Sequence, residues 1–225
     1  MSRLQACFAR LQAEDRKALI PYIMTGDPHP DVTVPLMHAM VKAGANIIEL
    51  GAPFSDPMAD GPVIQAAAER ALEFHVTLDD VFKAVAEFRR LDDVTPIIVM
   101  GYLNLIEVSG YESFARRASE AGIDGVITVD MPPEEAGDYI SALEGGGLDP
   151  VFLIAPTSTT ERIAKIGAVA SGFVYYVSLK GVTGAANLDV DSVRQKVEAI
   201  RERIDLPIGV GFGISDAQTA ARVSA

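Results

Sequence analysis

Two carboxylates close together in the chain, Glu49 and Asp60, carry its clearest chemical signal. Glu49 stands inside an apolar run, Ile47-Ile-Glu-Leu-Gly51, that reads as a strand. The run breaks at Gly51 and Pro53, passes through Phe54-Ser-Asp-Pro-Met-Ala59, and offers Asp60 just before a helical pattern. An acid in a buried strand is costly unless it has a partner or a task. Two acids in different surroundings can take different pKa values and divide an acid/base reaction between them. Plainer readings stay open at this point. Glu49 can be a structural acid held in an ion pair. Asp60 precedes Gly61-Pro62, and proline favours the first helical position, so Asp60 can simply serve that helix start.

Other residues could act beside them. Tyr175 ends an apolar run, where phenols more often pack than react. Asp130, before Met131-Pro-Pro133, reads as ordering its turn. Gly181-Val-Thr-Gly184 and Gly211-Phe-Gly213 each follow a strand pattern. Glycines there let backbone N–H groups approach an anion closely. His29, His38 and His75 are scattered, and no Cys/His spacing suggests zinc. His29 reads as a solvated loop residue.

The elements that must position these groups follow from hydrophobic periodicity. Strands are expected at 19–25, 47–51, 96–102, 125–130, 151–155, 173–178 and 208–211. Helices are expected at 3–14, 31–43, 63–74, 78–91, 111–121, 134–144, 161–170 and 190–204, with another opening toward Ala225. Nearly continuous apolar strands alternating with helices mean buried parallel strands in βα units. Neither a composition break nor a linker interrupts residues 1–225, so one α/β domain is expected. Thr25-Gly-Asp-Pro-His-Pro30 replaces a dinucleotide fingerprint after the first strand, which favours a closed barrel over an open doubly wound sheet. In a barrel, Glu49, Asp60, Tyr102, Asp130, Tyr175 and both glycine turns fall at the strand ends where chemistry is built.

Composition narrows the partners. The formal net charge of −12 argues against nucleic-acid and anionic-membrane surfaces. It leaves room for a phosphorylated small molecule, because backbone N–H groups bind phosphate without global charge. No apolar run is long enough for a membrane span, and the start lacks a signal-peptide pattern. One cysteine, Cys7, fits a reducing cytoplasm.

The residues quoted so far resemble the tryptophan synthase alpha subunit family. The resemblance rests on Glu49-Leu-Gly-Ala-Pro-Phe-Ser-Asp-Pro-Met-Ala-Asp-Gly-Pro-Val-Ile-Gln65, a highly specific signature. It is joined in order by Pro21-Tyr-Ile-Met-Thr-Gly-Asp-Pro28, Tyr102 with Asn104, Asp130-Met-Pro132, Tyr175 and Gly181-Val-Thr-Gly184. It implies a (β/α)8 TIM barrel that cleaves indole-3-glycerol phosphate to indole and glyceraldehyde 3-phosphate. It implies Glu49 as the acid/base at indole C3, Asp60 as acceptor of the indole N–H, and Tyr175 as a helper near the glycerol end. Tyr22, Met100, Ile127, Val129, Leu153 and Phe212 would shape an apolar slot for the ring. Gly184, Phe212 and Gly213 would cradle the phosphate, with Tyr102 and Thr183 also on the substrate. No metal or cofactor is implied for this chain; pyridoxal phosphate belongs to a partner beta subunit in an alpha2-beta2 assembly. The loops 52–62 and 179–189 would order on substrate and partner binding.

The family carries an eighth strand, a Gly-Ser phosphate turn and closing helices beyond the seventh strand. The sequence here ends at Ala225, so the expectation is a barrel cut short at its C-terminal side. Two alternatives follow from other features. Lys180 could form a Schiff base, as in a class I aldolase acting on another phosphorylated substrate. A non-catalytic subunit that only activates the beta enzyme is the other.

Overall fold

The computed structural model describes residues 1–178, 190–211, 214 and 216–224. Its strands are β1 (Tyr22–Met24), β2 (Ile48–Gly51), β3 (Ile97–Gly101), β4 (Gly125–Thr128), β5 (Asp149–Ile154), β6 (Val174–Val177) and β7 (Ile208–Gly211). All pair in parallel, and each neighbours the next in chain order. A doubly wound sheet would reverse its order at a switch point. The unbroken order here is that of a barrel wall, as the sequence led us to expect.

Helices cover this wall: α1 (Arg3–Ala13), α2 (Thr33–Lys42), α3 (Pro62–Glu73), α4 (Leu78–Phe88), α5 (Leu103–Glu107), α6 (Tyr111–Ala121), α7 (Gly137–Gly145), α8 (Thr160–Val169), α9 (Val190–Arg201) and α10 (Ala217–Ser224). Several boundaries differ from expectation. The first strand is shorter than 19–25, beginning only after Pro21, which has no N–H to give a ladder. The helix expected at 31–43 is split by a 3-10 turn at Pro30–Val32. The helix expected at 134–144 starts later, at Gly137. Helix α5 was not expected. Its first N–H, on Leu103, donates to Asp130 Oδ1 at 2.7 Å. Asp130 therefore orders the turn after β3 rather than its own.

Strand alternation sorts the side chains into two layers. Ile48, Leu50, Ile97, Val99, Val126, Phe152, Ile154 and Val174 pack outward against the helices. Ile47, Ile98, Ile127, Val151 and Phe173 point inward and meet Leu4, Cys7 and Leu11 of α1. Helix α1 thus closes the bottom of the wall with an apolar stopper. Each buried aliphatic side chain stabilises the fold by about 1.5–3 kcal/mol.

Charge is used sparingly beneath this floor. Asp124 is buried and accepts from Arg89 at 2.7 Å, Arg3 at 3.0 Å and Ile97 N at 2.8 Å. Arg89 also donates to the carbonyls of Thr95 and Gly122. This cluster ties α1, α4 and the starts of β3 and β4 together. Among the described residues, no helix is long and apolar enough to cross a membrane.

Candidate active site

Glu49 lies on β2 in register with Tyr22 of β1 and Ile98 of β3. It is 3% exposed, and its Oε1 has no hydrogen-bond partner among the described residues. Burial alone pushes its pKa from 4.5 up to about 8. An ion pair would pull it the other way. The ion-paired reading of Glu49 therefore has no support among the described residues, and the carboxyl holds a proton at neutral pH.

Asp60 is placed differently. Gly61 occupies the N-cap position of α3 and Pro62 begins the helix. The Asp60 carboxylate instead accepts from the Tyr102 hydroxyl at 3.1 Å. That hydroxyl also accepts from Ala59 N at 2.9 Å, and the Tyr102 ring stacks on Phe54 at 5.2 Å. Gln65 Nε2 donates to the Asp60 carbonyl at 2.8 Å. Burial raises the Asp60 pKa, and the Tyr102 hydrogen bond offsets part of that rise. The two acids thus sit in unlike surroundings: Glu49 buried, with Oε1 unpartnered among the described residues, and Asp60 hydrogen-bonded beside a cavity.

Two phenols lie over strand glycines. Tyr22 crosses above Gly51 of the neighbouring strand, and Tyr175 crosses above Gly211. A Cβ at either glycine would collide with a hydroxyl. Burial raises both phenol pKa values, and the charge of Glu49 adds to each.

Tyr22, Met24, Phe54, Asp60, Met100, Tyr102 and Val129 line one narrow cavity, and Glu49 is not among its lining residues. Of the expected substrate-binding residues, Tyr22, Met100, Tyr102 and Val129 are in this lining. Leu153 and Tyr175 are partly buried farther round the wall. Ile127 lies fully buried in the floor below. Sequence reasoning missed Phe54 and Met24. The only available signal for Phe54 was an aromatic residue inside a proline-rich loop. Thr183, Gly184, Phe212, Gly213, Lys180 and the loop 179–189 lie outside the described residues. Among the described residues, no group of three or more His, Cys, Asp or Glu is arranged to hold a metal ion.

The two carboxyls, one raised by burial and the other hydrogen-bonded by a phenol, suit different acid/base tasks. A model of the family described as tryptophan synthase alpha chain matches residues 8–225. The chain belongs to this family. A tryptophan synthase alpha chain from Thioalkalivibrio sulfidiphilus is 63% identical over 224 residues, covering 100% of this chain and 84% of the relative. The crystal structure of tryptophan synthase subunit alpha from Legionella pneumophila superposes with a TM-score of 0.92 at 45% identity, covering 99% of this chain and 82% of that one. A Pyrococcus furiosus structure, described as the tryptophan synthase a2b2 complex, gives a TM-score of 0.86 at 36% identity. It covers 92% of this chain and 83% of that one. Membership in the tryptophan synthase alpha chain family agrees with the chain-ordered parallel wall.

Proposed function

We propose that this chain cleaves indole-3-glycerol phosphate to indole and glyceraldehyde 3-phosphate, the alpha reaction of tryptophan synthase. The bond to break joins indole C3 to a glycerol carbon, and neutral indole leaves that carbon poorly. Protonation at C3 gives an iminium that can accept the bonding electrons. Glu49 supplies the proton at C3, which stays on C3 of the indole that leaves. Its buried carboxyl, with Oε1 unpartnered among the described residues and a pKa raised to about 8, is the observation that carries this reading. Asp60 accepts the ring N–H and offsets the positive charge that develops on the ring. Loss of the glycerol hydroxyl proton then forms the carbonyl as the carbon–carbon bond breaks. Tyr175 helps at the glycerol end, and Thr183, Gly184, Phe212 and Gly213 hold the phosphate.

The protonated ring is itself the electron sink, so this half-reaction calls for no cofactor in this chain. Pyridoxal phosphate would be carried by a beta subunit, to which indole passes in an alpha2-beta2 assembly. Residues 1–225 act as one barrel domain, and the cytoplasm is the compartment that the single cysteine and this biosynthetic role suit.

Indole release from indole-3-glycerol phosphate tests the reading, with and without a beta subunit. The chain contains no Trp, so indole fluorescence meets little protein background. Glu49→Gln should nearly abolish release while the substrate still binds. Unchanged turnover in that variant would remove Glu49 from the mechanism. Borohydride trapping of a substrate adduct on Lys180 would favour Schiff-base chemistry instead.

A further inference from the structure

The Tyr22 hydroxyl is poorly served where it stands. It is directed at the Met24 sulfur, 3.9 Å away. A thioether is a weak acceptor, and phenols in such places usually find an oxygen. Gly51 leaves the room in which this hydroxyl lies, so its position over the cavity is built into two adjacent strands. Tyr22 and Asp60 line the same cavity, and the Asp60 charge acts on the phenol. That end of the slot therefore presents one acceptor, Asp60, and one donor without a good partner, Tyr22.

We propose that Tyr22 is a specificity-determining donor of the ring slot. With the ring N–H on Asp60, the Tyr22 hydroxyl turns from Met24 and donates to an acceptor atom on the ring edge beside that nitrogen. A bicyclic ring with a second nitrogen at that edge, such as 7-azaindole, is then held at two points. Indole, with a C–H at the same place, is held at one. This rests on the reading of the cavity as an indole slot given above.

Equilibrium binding of indole and of 7-azaindole, measured by calorimetry, tests it without needing turnover. The quantity to compare is the ratio of the two dissociation constants. In Tyr22→Phe that ratio should move about five-fold against 7-azaindole, the size of one modest hydrogen bond. Met24→Leu, which removes the sulfur and keeps the phenol, should leave the ratio at or beyond the wild-type value in favour of 7-azaindole. An unmoved ratio in Tyr22→Phe overturns the proposal, as does an equal loss in both variants, which would mean packing alone. Failure of the wild type to bind either ring overturns it too. A wild type that binds both rings as described yet releases no indole would sink the proposed reaction and leave Tyr22 standing.

Discussion

The Tyr102 hydroxyl stands 3.1 Å from Asp60 Oδ2 and accepts from Ala59 N at 2.9 Å, joining the end of β3 to the loop that follows β2. One phenol thus fixes the loop backbone and favours the charged form of the acid. Tyr102→Phe removes both effects. The Asp60 pKa should rise further, because burial then acts without its counterweight. The acid limb of the kcat/KM profile should shift to higher pH, with a loss of about ten-fold at neutral pH. Steady-state kinetics across pH 5 to 9 read this directly. A profile identical to wild type would mean that Asp60 is not required in its charged form.

Glu49 should make the fold less stable as pH rises. Its folded pKa of about 8 lies above its ordinary 4.5. Between those values the folded chain holds a proton that the unfolded chain has released. Stability therefore falls as pH climbs through this window. The penalty is absent below the lower value and complete above the upper one, where it reaches about 5 kcal/mol. Glu49→Gln should flatten the dependence and be the more stable protein at pH 8.5. Urea unfolding of both proteins at pH 5 and pH 8.5 is the measurement. Parallel dependences would show that Glu49 is not the group responsible.

Gly51→Ala and Gly211→Ala should each displace a phenol. The new methyl lands on the Tyr22 hydroxyl in the first case and on the Tyr175 hydroxyl in the second. Each should lower indole release at least ten-fold while far-ultraviolet circular dichroism stays native. Full activity in either variant would show that the phenol it displaces does not need its present place.

Asp124→Asn should weaken the fold without touching the chemistry. Arg89, with a side chain only 10% exposed, would lose its charged partner, and Arg3 would lose the same one. A buried cation left unpaired costs about 3–5 kcal/mol. Denaturant titration should show a loss of this size, and the folded fraction should turn over at the wild-type rate.

Much of this arrangement was legible in the chain because it rests on local patterns. The strand ends were placed by apolar runs, and the family resemblance set Tyr22, Glu49, Met100, Val129 and Tyr175 about the site. The strand count followed from seven apolar runs separated by turn residues. What stayed hidden depends on residues distant in sequence. Whether Asp60 serves the helix start or faces a cavity turns on Tyr102, 42 residues on. Helix α5 is five residues long, and its first N–H is met by Asp130, 27 residues away. Ile127 and Met100 both read as inward apolar residues, yet one belongs to the floor and the other to the cavity. Their depth is set by how α1 packs from below, which alternation along one strand does not encode.

The apolar floor also limits how Glu49 exchanges protons. Beneath it lie Ile47, Ile98, Ile127, Val151 and Phe173, none more than 3% exposed, with Leu4 and Leu11 closing the space below. Hydrocarbon offers no relay along which a proton can hop. Any proton this carboxyl gains or loses must travel by the mouth of the wall, the same route that substrate takes. While a ring fills the slot, Glu49 is cut off from the surrounding water. The proton it gives to carbon stays on C3 of the indole that leaves, and cleavage run in heavy water should place one deuterium there.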